Sequence, residues 1–129
     1  MKFFYMGAFG MVGIFARYFL GVFMGRFFTV PFPCATFFIN LIGSFLIGVV
    51  YVLDVEKAVL NPDVRIGVMV GLLGGFTTFS AYSLETTRLI EDSQVGFAVL
   101  YFCLSPVTGI LGAFGGLYLT RSLINGGAT

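Results

Sequence analysis

The chain contains no histidine and only two cysteines. A metal site built from side chains needs ligands clustered at set spacings, and no such cluster exists here. Cys34 opens one apolar stretch and Cys103 lies inside another. Both read as small hydrophobes rather than as ligands or nucleophiles. Charge is equally scarce: seven Lys and Arg residues face six Asp and Glu residues, together 10% of the chain. There is no acid–base pair in a pocket-forming pattern, no Ser/His/Asp or Cys/His set, no phosphate-binding loop and no basic patch. These absences argue against an enzyme and against a nucleic-acid partner.

What fills the space is apolar, for 58% of the residues are hydrophobic. Four windows are long and nearly uncharged, at about 4–25, 34–53, 65–90 and 95–120. Each reaches the roughly 20 residues that a helix needs to cross a bilayer. The expected fold class is all-α integral membrane: four transmembrane helices in a single domain, 1–129, with a multi-pass location in the cell membrane and the lipid bilayer as its surroundings. The first window is too long for a signal peptide and lacks a small-residue cleavage site. Four crossings put both termini and the middle loop on one side, with Lys2, Lys57, Arg65 and Arg121; Arg26 and Arg88 fall on the other. Four against two is a thin charge bias. It fits ordinary cytoplasmic termini, and it also fits a chain poised to insert both ways up, from which an antiparallel dimer follows.

The first span carries Gly7, Gly10, Gly13 and the GxxxG pair Gly21 and Gly25, small residues that let helix backbones approach closely. It also carries Arg17, a charge that lipid does not tolerate. Arg17 either ties down backbone carbonyls or attracts anions. In the second span Thr36, Asn40 and Ser44 recur at intervals of four, so they share one helix face. That stripe either bonds to a neighbouring helix or lines a polar pathway. The segment "DVEKAVLNPDVR" reads as an aqueous turn, with Asp63 as the expected N-cap of the third span.

The third span departs from a plain membrane helix. "GLLGGFTTFSAYS" places Gly74-Gly75 and Thr77-Thr78 in mid-membrane, which predicts a break at 74–78. Unwound backbone at that depth survives only when buried in protein or facing a polar cavity. Carbonyls released from 74–77 suit a cation, and the N–H groups that open the next half-helix suit an anion. Beyond the break Phe79 and Tyr82 share a stripe, with Phe76 near its foot and Ser80 and Ser83 beside it. An aromatic ring has a positive edge, so a small anion can meet such rings edge-on. In the fourth span Pro106 predicts a kink, with Ser105 and Thr108 placed to satisfy the freed carbonyls.

Four short spans in order, "GGFTTFS" in a broken third span, "NLIG" from Asn40 and the arginine in span one resemble the Fluc (CrcB) fluoride channels. The resemblance runs over essentially the whole chain. It implies an antiparallel dual-topology dimer with two pores, which exports fluoride passively and so lowers fluoride toxicity in the cytoplasm. It implies a structural sodium ion at the dimer centre, held by the backbone carbonyls of Gly74 and Thr77. The fluoride pathway would comprise Asn40, Thr36, Phe79, Ser80, Tyr82, Glu85 and Arg17. Two departures stand out. Position 82 is a tyrosine where members commonly have phenylalanine, and its hydroxyl would donate to fluoride or narrow the path. The polar track expected after Gly109 falls on Ile110 and Phe114. The partner is then either a second copy or a homologous second subunit in a heterodimer. A proton-coupled multidrug transporter, the alternative from another class, needs an acid within a span. Spans one, two and four have none, and Glu85 lies near the end of the third.

Overall fold

The computed structural model describes residues 1–126; the last three residues of the expected domain lie outside the described residues. Five helices make four crossings: α1 (Lys2–Gly25), α2 (Cys34–Glu56), a third crossing split into α3 (62–76) and α4 (Phe79–Glu91), and α5 (Val95–Gly126). No strand occurs among the described residues. The four crossings contain 24, 23, 30 and 32 residues, each long and apolar enough to span a membrane. α1 packs along α3, and α2 packs along α5.

The N-terminus, the last turns of α5 and the 57–61 connection meet at one end. The N-terminal amine lies 3.7 Å from Asp63, and Arg121 forms an ion pair with Glu56. Asn61 rather than Asp63 caps α3: its Oδ1 accepts from the Asp63 N–H at 2.9 Å. Pro62 explains the shift, since proline suits the first helical position and makes the residue before it the cap. The preceding segment is less aqueous than its charges suggest. Residues Tyr51–Glu56 continue α2 as wide π-helical turns, and Asp54 is 1% exposed. Its Oδ1 accepts from the Leu60 N–H at 2.8 Å and its Oδ2 lies 3.4 Å from Arg65 Nε. One buried carboxylate therefore pins the whole turn, including Ala58 in the left-handed region at φ 52°.

The glycines sort by what approaches them. A Cβ on Gly13 would overlap the Leu72 carbonyl, and one on Gly116 would overlap the Phe45 carbonyl. Gly7 and Gly25 face open space, so the Gly21–Gly25 pair is not a packing face within the chain. In α3 the stretch Gly67–Leu73 is π-helical, not the regular α-helix expected. Positions four apart drift one way around an α-helix and the other way around the wider π-turn. The mixture keeps Gly67, Gly71 and Gly75 all turned toward α1.

Few side chains are buried. Tyr82, Leu89, Ala98 and Tyr101 form a cluster between α4 and α5, joined by Phe32, Phe37 and Phe97. Large apolar residues such as Phe3, Phe15, Phe19, Phe79, Phe102, Leu111 and Phe114 lie exposed along the crossings, an arrangement suited to lipid or a partner and not to water.

Candidate functional site

The break falls on Thr77 and Thr78, both extended (ψ 158° and 117°), while Gly74–Phe76 stays helical. The sequence pointed to Gly74-Gly75 as part of the uncoiling. Gly75 instead admits α1, because a Cβ there would lie 2.8 Å from the Gly10 carbonyl oxygen. The threonines make the break by giving the backbone alternatives to the helix ladder. Thr77 Oγ1 donates back to the Leu73 carbonyl at 2.9 Å. Thr78 Oγ1 accepts from the Ala81 N–H at 3.1 Å and so caps α4.

Asn40 completes the arrangement from α2. Its Oδ1 accepts from the Thr78 N–H at 2.8 Å, and its Nδ2 donates to the Thr78 carbonyl at 3.1 Å. The amide thus imitates a neighbouring strand and satisfies both polar groups of the extended residue. One Nδ2 hydrogen remains for another acceptor. Arg17 Nε donates to the Gly75 carbonyl at 3.1 Å, the backbone tie foreseen as one of its two roles. The Gly74 and Thr77 carbonyls stand outside this pairing. Gly74 and Thr77 are among the residues that border a cavity of about 180 Å³, with Gly43, Ser44 and Met69. Main-chain oxygens are the donors a hard cation takes. Among the described residues no group of three or more His, Cys, Asp or Glu is placed to hold a metal.

A larger cavity of about 390 Å³ lies between α2, α4 and α5. Asn40, Ser44, Thr78, Phe79, Tyr82, Ser105 and Pro106 line it, with Ile47, Gly109, Ile110 and Ala113. Phe79 and Tyr82 stand side by side on its wall, ring centroids 5.5 Å apart. Phe79 is 80% exposed, whereas Tyr82 is 8% exposed. Phe76 lies apart from this stripe, before the break, with its ring against Gly43. Ser80 is exposed, its hydroxyl 3.2 Å from that of Thr78, and Ser83 bonds back to the Phe79 carbonyl at 2.9 Å. Phe114 is absent from the lining; the face of α5 that borders the cavity carries Ser105, Gly109 and Ala113, with Ile110 beside them.

Thr36 and Glu85 form a second group. Thr36 Oγ1 donates to Glu85 Oε1 at 2.6 Å, and the Tyr101 hydroxyl donates to Oε2 at 2.8 Å. Thr36 also borders a separate cavity of about 340 Å³ that contains Arg17, Ala35, Ile39, Thr78 and Ala81. Tyr101 was not singled out in the sequence. The available signal was its place four residues before Ser105 and eight before Gly109, on one face of α5.

Four apolar crossings with a broken third helix, its polar backbone secured inside protein, define a multi-pass helical protein of the cell membrane. The family model for CrcB-like protein, Camphor Resistance (CrcB), matches residues 4–117, and the chain belongs to that family. A protein of Moorella thermoacetica named fluoride-specific ion channel FluC 1 is 36% identical over 121 residues, 94% of this chain and 86% of that relative. The fluoride-specific ion channel FluC of Citrifermentans bemidjiense is 38% identical over 119 residues, 92% and 96% of the two chains. A FluC of Pseudomonas fluorescens is 40% identical over 112 residues, 87% and 90%.

Proposed function

We propose that the chain is a fluoride-selective channel through which fluoride leaves the cell passively. Its family and the names of relatives matched over nearly the whole chain favour that reading. The observation that carries it is the Thr77–Thr78 break, held open by Asn40 beside the Phe79 and Tyr82 rings. Fluoride is strongly hydrated, so shedding its water requires several donors at once. The free Asn40 hydrogen, the Ser80 hydroxyl and ring edges offer many moderate contacts, and moderate contacts let an ion leave as well as enter. Hydrogen fluoride crosses membranes neutral and dissociates inside; the membrane potential then drives the anion out by about 2.3 kcal/mol per charge per 100 mV.

The remaining site assignments follow from the same reading. Thr36 and Glu85 stand on the fluoride path, and Arg17 acts through the backbone it holds. The unit in this reading is an antiparallel pair: the thin charge bias admits both orientations, and the exposed Phe79 beside the cavity suits a second chain. A sodium ion fits the Gly74 and Thr77 carbonyls, where it would neutralise main-chain dipoles at the centre of the pair. A homologous second subunit in place of a second copy is favoured by one feature: Gly109, Ile110 and Ala113 leave the α5 wall without hydroxyls beyond Ser105.

Purified chain in liposomes, loaded with fluoride or with chloride, tests the proposal. Fast fluoride efflux with negligible chloride efflux is the expected result for a homodimer. Efflux only after a second homologous subunit is added assigns the heterodimer. No fluoride efflux in either case refutes the channel.

A further inference from the structure

An α-helical carbonyl accepts from the N–H four residues on, and Pro106 has none to offer. The carbonyl left without its partner is that of Phe102, facing the interior between α4 and α5. Ser105 and Thr108 were the expected partners, but Thr108 Oγ1 donates to the Leu104 and Ser105 carbonyls at 2.7 and 3.2 Å. The Phe102 carbonyl instead takes the hydroxyl of Tyr82, across from α4, at 2.9 Å. Tyr82 is nearly buried, its ring 5.1 Å from that of Tyr101 on one side and 5.5 Å from that of Phe79 on the other. Its hydroxyl is therefore aimed at the α5 backbone one turn before Pro106, while Tyr82 also borders the cavity.

We propose that Tyr82 is a positioning residue: by bonding to the carbonyl that Pro106 frees, it ties α4 to α5 at the proline turn and sets the aperture of the cavity between them. The inference rests on the fluoride-channel reading for what passes through that aperture. The hydroxyl does not donate to the ion. It fixes where the ring stands, and with it the neighbouring Phe79. Tyrosine at 82 and proline at 106 are in this account one device, because the proline frees the carbonyl that the tyrosine hydroxyl then satisfies.

A double-mutant cycle tests this, with Y82F, P106A and the pair, each assayed for fluoride and chloride efflux from liposomes and for Tm in detergent. Alanine at 106 returns an N–H to the Phe102 carbonyl, so the tyrosine hydroxyl becomes dispensable. The expected result is that Y82F slows fluoride efflux about tenfold and lowers the fluoride-to-chloride ratio, while the same change in the P106A background alters neither by more than twofold. A merely destabilised chain would lose rate with the ratio unchanged. P106V supplies the same N–H if P106A does not fold. An unchanged ratio in Y82F, or an equal loss in both backgrounds as direct donation to fluoride would give, overturns the proposal. If the wild-type chain carries no fluoride, the channel reading fails, and the clamp is judged by Tm alone: Y82F lowers it with Pro106 present and leaves it unchanged with alanine there, or the clamp fails too.

Discussion

Asn40→Ala removes the two hydrogen bonds that hold the extended Thr78 peptide, 2.8 Å to its N–H and 3.1 Å from its carbonyl. Neither group has a helical alternative, since Thr77 and Thr78 are extended. Thr78 is half-buried, so water reaches it only in part. An unsatisfied buried group costs about 1–3 kcal/mol, and two partly buried ones cost about 3 kcal/mol together. If that falls on the conducting form, efflux slows about 100-fold, at one decade per 1.4 kcal/mol. Asn40→Asp separates support from conduction. Its one carboxylate oxygen still accepts from the Thr78 N–H, but the other faces the Thr78 carbonyl and puts a negative charge on the wall of the cavity. Efflux of an anion should then be at least as slow as in the alanine variant. Liposome efflux and thermal unfolding of the same preparations measure both effects. An alanine variant within threefold of the wild type in rate, with unchanged Tm, would refute the view that Asn40 holds the break open.

Three further outcomes follow from the packing. G13A and G116A place a methyl group into a facing carbonyl and should each cost about 1–3 kcal/mol, as overpacking does, whereas G7A should leave the Tm unchanged. R17M strips the Gly75 carbonyl of its charged donor and should destabilise by about 1.5–3 kcal/mol, read as a lower unfolding midpoint in detergent. D54A leaves the Leu60 N–H and the half-exposed Arg65 without their shared acceptor, and should cost about 1.5–3 kcal/mol, as losing a hydrogen bond to a charged group does; limited proteolysis at 57–61 should report the loosened turn.

Spacing along one helix is visible in a sequence, and it was enough for four crossings, the broken third span and the shared face of Thr36, Asn40 and Ser44. What sits opposite a helix is not visible. Gly75 reads as a loose joint until α1 is seen lying against it. Asn40 reads as a free donor until Thr78 takes one of its N–H groups and its oxygen, leaving one spare hydrogen. The Tyr82 hydroxyl looks available to an ion, yet a carbonyl freed four residues before a proline on another helix claims it. Asp54 looks solvated in a charged turn, though the turn folds over it. In each case the competition among partners decides the role, and the competitors come from distant parts of the chain.

That competition also bounds what an ion can meet. Thr78 borders both the cavity of about 390 Å³ and the one of about 340 Å³, so the break is the partition between them. An intact helix would present neither cavity with a polar group there. A break with nothing to satisfy it would present full main-chain charge, costly to bury and slow to release an ion. Here Asn40, Arg17 and the threonine hydroxyls claim most of the exposed groups. What remains beside the partition is one amide hydrogen, the Ser80 hydroxyl, the first N–H groups of α4 and the rims of two rings. Each is a moderate partner alone. In the proposed channel a small anion, losing water gradually as it passes, would need several of them together, with no single one holding it long enough to stop its transit.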